Sequence, residues 1–163
     1  MYGIPKSNGL SSLKLTNFSG VGATSTKIAR YTTILENEGS DISYQDSADS
    51  GCIVQLLTPG IYAFSIVQDT VLGSYTPDDM IGVSINATDV EQAAGIETVD
   101  PSRRVFYSRN SHDTTDVSIA GAGCCSATVV AKAGDIIRPH LGTYSRPASG
   151  TNLSRLIVVK VAN

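Results

Sequence analysis

The sequence predicts an all-β protein: an antiparallel β-sandwich at residues 28–163, preceded by an extended N-terminal arm at residues 1–27. Three observations carry that expectation. Short stretches alternate their side chains with period two, as half-buried strands do. Turn signals built from Gly, Pro, Asp, Asn and Ser separate those stretches at short, fairly even intervals. The composition, with fifteen Gly, seven Tyr, no Trp and many Val, Ile and Thr, favours strands and tight turns over helices.

The elements follow in order. RYTTIL (Arg30 to Leu35) precedes the loop ENEGSD, and ISYQDS (Ile42 to Ser47) leads through ADSG into CIVQLL (Cys52 to Leu57). The turn TPG then opens IYAFSIV, which places Ile61, Ala63 and Ser65 on one face and Tyr62, Phe64 and Ile66 on the other. Neither face is polar, so this strand is expected to bury both sides. MIGVSINA (Met80 to Ala87), RVFYSRN (Arg104 to Asn110), VSIAG, CCSATVVAKAG (Cys124 to Gly134) and DIIRPHL supply further strands. Between the first two of these, a short helix within Asp89–Ala94 fits the composition. SRLIVVKVA (Ser154 to Ala162) alternates Leu156, Val158 and Lys160 against Ile157, Val159 and Val161. A strand so apolar belongs inside a sheet rather than at a solvated edge.

The 163 residues suit one domain, 41% hydrophobic and 17% charged, long enough to bury about 70% of the surface its unfolded chain exposes. The net charge of −3 gives no reason to expect nucleic-acid binding. Charge is nevertheless uneven: residues 1–35 hold Lys6, Lys14, Lys27 and Arg30 and no acid, which leaves −7 for the rest. Residues 1–27 also carry spaced apolar anchors (Tyr2, Ile4, Leu10, Leu13, Leu15, Phe18, Val21) without helical period. They are therefore expected to lie as an arm along a neighbouring surface, with Lys6, Lys14 and Lys27 facing its carboxylates. No stretch reaches the length of an apolar membrane span, and the N-terminus lacks a signal-peptide layout. The three cysteines, Cys52, Cys124 and Cys125, have no metal spacing; the adjacent pair in a strand points to opposite faces.

The motif order resembles the complement-component and tumour-necrosis-factor superfamily of trimeric jelly rolls. CIVQLLTPGIYAFSI resembles its core hairpin, with Tyr62 and Phe64 two apart after a Pro-Gly turn, and ATVVAKAGDIIRP resembles its apolar strand followed by Gly134 and Asp135. The resemblance spans about residues 28–163. Two departures set it off from the secreted animal members: Leu156 and Ile157 stand where those carry an aromatic pair, and no collagen-like repeat precedes the domain. AGDIIRPH, with Pro139 and His140, is closer to phage virion proteins of this fold. The resemblance implies a jelly roll and a homotrimer whose inner sheet meets two neighbours, with Ile61, Tyr62, Phe64, Ile66, Ile157 and Val159 shared between core and interface.

Catalytic groupings do not emerge. His112 beside Asp113 sits in the polar turn SRNSHDTTD with no nucleophile elbow, and Asp135 is placed to cap a turn. Asp78 and Asp79, or Asp41, Asp46 and Asp49, match no calcium loop spacing. GVGA at residues 20–23 follows no strand-to-helix step, so it is no phosphate cradle. Arg103, Arg104 and Arg109 suit salt bridges or a surface patch. The expectation is a non-enzymatic virion protein without cofactor or metal, made in the host cytoplasm and not secreted. Its partners are other copies of itself and the major capsid protein or another virion component, with no nucleic acid or membrane. One form is a homotrimeric capsid decoration or cementing protein held by the arm. The other is the head of a fibre or spike that binds a host receptor or glycan.

Overall fold

In the computed structural model the described residues are 10–23, 27–70, 79–87, 99–110, 121–140 and 154–163. They form ten strands: β1 (Ser12–Val21), β2 (Ala29–Glu38), β3 (Ile42–Ser47), β4 (Gly51–Leu56), β5 (Gly60–Thr70), β6 (Asp79–Ile85), β7 (Arg104–Asn110), β8 (Gly121–Ala131), β9 (Ile136–His140) and β10 (Arg155–Ala162). One 3-10 turn, Pro101–Arg103, precedes β7. The front sheet has the order β2-β1-β10-β5-β8 and the back sheet β3-β4-β9-β6-β7, every pair antiparallel. The two five-stranded sheets stack as a jelly-roll sandwich.

Alternation decides what lies between the sheets. Tyr62, Phe64 and Ile66 of β5, Leu156 and Val158 of β10, Val54 and Leu56 of β4, and Ile137 of β9 are all buried in one cluster. Their neighbours Ile61, Ala63, Ser65, Ile157 and Val159 are only partly buried and face away from the core. The turn from β4 into β5 carries the chain from the back sheet to the front. Gly60 is required there: its φ is +153°, and a Cβ would stand 2.5 Å from the carbonyl oxygen of Ala162 and 2.7 Å from Cε of Lys160.

The expected arm needs correction. Ser12–Val21, within residues 1–27, is a strand of the sandwich, paired with β10 on one side and β2 on the other. Leu13, Leu15 and Phe18 are core residues. Their spacing breaks period two because Asn17 adopts a left-handed conformation (φ 58°) and the register against β2 shifts, so the strand turns over partway along. An apolar pattern interrupted by such an irregularity looks aperiodic in sequence. Residues 1–9 lie outside the described residues, as do the proposed helix at Asp89–Ala94 and most of VSIAG.

Candidate functional site

The face of the front sheet turned away from the core is the candidate site. On β5, β10 and β8 it presents Ile61, Ala63, Ser65 and Val67, then Ile157, Val159 and Val161, then Cys124, Ser126, Thr128 and Val130. None of these carries a charge. Val130 is 83% exposed and Val161 42%. An open groove of about 470 Å³ runs along it, lined among others by Ala63, Ser65, Ser126, Thr128, Ile157 and Val159. Arg155, at the start of β10 opposite Val67, puts a charge at one end of this face. On β1 and β2 charge resumes, where Lys14 stands opposite Ile157 on one side and Glu36 on the other. Ser12 donates a hydrogen bond to Glu36.

The expected interface residues therefore divide. Ile61, Ile157 and Val159 belong to this outward face, whereas Tyr62, Phe64 and Ile66 are sandwich core. The three arm lysines are not brought together: Lys14 is half-buried within β1, Lys27 lies in the bend before Ile28, and Lys6 lies outside the described residues.

At one end of the sandwich a polar cluster ties the sheets. Lys160 follows the inward register of Leu156 and Val158 and is buried. Its Nζ donates to Oγ1 of Thr58 at 2.8 Å and lies 3.6 Å from a carboxylate oxygen of Asp41. Asp41 also accepts from the hydroxyls of Thr58 (2.7 Å) and Ser11 (2.9 Å), and the Tyr62 hydroxyl donates to the carbonyl of Thr58 (2.9 Å). The Thr58 hydroxyl, then that of Ser11, holds the Asp41 carboxyl below its ordinary pKa, with Lys160 adding to the effect. Asp46 in turn forms a two-pronged pair with Arg30 (2.7 and 3.2 Å). Asp41 and Asp46, whose spacing matches no calcium loop, are thus engaged with hydroxyls and cations. No metal-ligating cluster occurs among the described residues.

Sequence reasoning passed over the outer face of the back sheet. There Ser84 of β6 and His140 of β9, both fully buried, share a hydrogen bond of 2.6 Å between Oγ and Nε2. Arg138, two residues earlier on the same face, is also buried and donates to the carbonyl of Ser50. Nδ1 of His140 has no hydrogen-bond partner. Burial, and secondarily the Arg138 charge, push the imidazole pKa down to about 4. A serine–histidine contact sealed from solvent gives substrate no approach. The signal was present in AGDIIRPH, since alternation against core-facing Ile137 puts Arg138 and His140 on one face. His112 and Asp113 lie outside the described residues. Asp135 does cap a turn, accepting from the backbone N–H of Lys132 (2.7 Å) and the Asn86 amide (2.8 Å). Arg103 and Arg104 bond to backbone carbonyls of Asn86 and Val99.

Three solved structures of murine APRIL, at pH 8.0, 5.0 and 8.5, superpose on the chain with TM-scores of 0.62, 0.59 and 0.60. Each covers 94% of this chain and 100% of the APRIL chain, at 16%, 16% and 15% identity. The fold is the tumour-necrosis-factor-like jelly roll. Identity so low carries the fold and nothing finer. No protein-family model matches the chain. No curated protein matches it either. Among the described residues no helix is long and apolar enough to cross a membrane.

Proposed function

We propose that this protein is a non-enzymatic structural module that self-associates as a homotrimer through the outward face of β5, β10 and β8. The single observation behind this reading is that face: eleven contiguous uncharged outward positions on three adjacent strands, bounded by Arg155 at the start of β10. Strands spaced about 4.8 Å apart, with same-face residues about 6.8 Å apart, make it roughly 14 by 25 Å, or about 350 Å². That is the scale of the largest apolar patch on an ordinary monomer, which is often a binding site. A stable interface buries roughly 800 Å² per partner, so the strands and loops around this patch must supply the rest. Ile157→Asp, exposed in a folded monomer but buried in an assembly, should leave the circular dichroism of the sandwich intact and halt association in light scattering. A wild-type protein that stays monomeric at micromolar concentration overturns the reading.

The finer role in the proposal is capsid decoration, supported by the resemblance of AGDIIRPH to phage virion proteins of this fold. With Ser12–Val21 placed in the sandwich, attachment to a shell falls to surfaces outside β1 and to residues 1–9. Co-sedimentation of the purified trimer with capsids tests it. Binding to host cells with no binding to capsids would replace decoration by the fibre or spike head.

A further inference from the structure

The free edge of the front sheet is a second surface, separated from the outward face of β10 by β1. Among the described residues β2 pairs only with β1. From Thr32 to Glu38 it is exposed except at half-buried Thr33. Ile34 is 50% exposed, Leu35 52%, and Leu10 54%. The register shifts between Lys14 and Leu15, opposite Glu36 and Ile34, which leaves Leu35 as the extra, unpaired residue. A bulge and glutamates are ordinary means of blunting an edge. Two large apolar side chains on the same edge work against that purpose.

Residues 1–9, MYGIPKSNG, have matching chemistry. Tyr2 and Ile4 alternate, Lys6 is the one charged side chain, and no acid is present, whereas β2 offers Glu36 and Glu38. Nine extended residues span about 30 Å, enough to follow the roughly 23 Å of Thr32–Glu38. Pro5 lacks a donor, which an edge strand tolerates. The direct path from Leu10 to the edge of its own β2 is obstructed. Ser11 is locked to Asp41 by hydrogen bonds at 2.9 and 3.0 Å, and the turn at Gly39 packs so closely that a Cβ there would stand 2.1 Å from the Ser11 hydroxyl. The β2–β3 turn thus sits over the start of β1, between Leu10 and the free edge.

We propose that residues 1–9 of one copy lie along the free edge of β2 in a second copy, with Tyr2 and Ile4 against Ile34 and Leu35 and Lys6 beside Glu36 and Glu38. Backbone pairing supplies affinity and the two apolar contacts set the register.

Disulfide trapping in the full chain, with Cys124→Ser to remove the exposed native thiol, tests this. Two proteins, one carrying Ile4→Cys and the other Leu35→Cys, are mixed and oxidised. The expected result is a reductant-sensitive dimer that needs both partners, its yield cut about tenfold by Glu36→Lys with Glu38→Lys and restored by adding Lys6→Glu to the Ile4→Cys partner. No dimer in the mixture overturns the proposal. So does a bond found only within single chains that carry both cysteines, which means the segment folds back on its own β2. Repeating the trap with Ile157→Asp separates the two surfaces: a cross-link that survives when light scattering shows no association through the outward face leaves this contact standing alone.

Discussion

Replacing Asp41 by Asn keeps the shape of the cluster at the sandwich end and removes its negative charge. Two charge-assisted bonds, from Thr58 at 2.7 Å and Ser11 at 2.9 Å, become neutral ones, and buried Lys160 loses the carboxylate 3.6 Å away. Each bond weakens by about 1 kcal/mol. The unpaired ammonium adds a further cost, moderated because the Asp41 side chain is 21% exposed. A loss of about 3 kcal/mol follows, which is about 1.5 M in urea midpoint for a protein of this size. Lys160→Met should change stability by less than about 1 kcal/mol, because Asp41 keeps both hydroxyl partners and no buried charge remains unmatched. The double variant should then be more stable than Asp41→Asn alone by about 1 kcal/mol. Equilibrium urea unfolding at pH 7 and fixed protein concentration measures all three. The Asp41 pKa is lowered in the folded state, so its contribution is present above the unfolded value of about 4 and is lost as pH falls through the lowered one. The gap between wild type and Asp41→Asn should therefore close below about pH 4. An Asp41→Asn midpoint within error of wild type, or a Lys160→Met variant as damaged as Asp41→Asn, refutes the reasoning.

His140, held neutral with a pKa near 4, leaves the unfolded chain binding more protons between that value and about 6.5, so stability should fall by about 3 kcal/mol as pH drops through this window. His140→Gln should flatten that slope in acid-unfolding curves, and an unchanged slope would remove His140 as its source. Phe64→Ala, in the core, should cost about 3–5 kcal/mol in urea unfolding, while Ala63→Ser, one residue away on the outward face, should cost under about 0.5. Cys52, fully buried with its thiol pushed well above the ordinary pKa, should resist a thiol reagent until denaturant is added. Rapid labelling of Cys52 in native buffer contradicts its placement.

Much of the strand layout was legible because period two and turn chemistry act locally. ISYQDS and RVFYSRN have in the structure the bounds their residues imply, and the Pro-Gly turn does lead into a strand with unlike faces. Which face of that strand joins the core was not legible, since Tyr62 and Ile61 are both apolar and only the opposing sheet decides between them. β1 escaped notice for a related reason: left-handed Asn17 breaks the pattern that betrays a strand, and β10, one of its two neighbours, lies far along the chain. The largely apolar outward face could be listed from alternation once the strands were aligned. The Asp41–Lys160 and Ser84–His140 contacts could not, because each joins segments that only the folded chain brings together.

β10 lies between β1 and β5 in the front sheet, and the hydroxyl of Thr16 bonds to the carbonyl of Ser154, 138 residues away. That arrangement sets an order of events during synthesis. The hairpins β3–β4 and β6–β7 can form as they emerge, but β1 and β5 must wait for the strand that separates them. Until Arg155–Ala162 has left the ribosome, the nascent chain holds two apolar strands without a shared neighbour, the kind of edge that pairs wrongly with other chains. Contacts this distant in sequence also make folding slow. A polysome crowded with such chains is where misassembly should begin, and chaperone dependence should be greatest just before β10 appears.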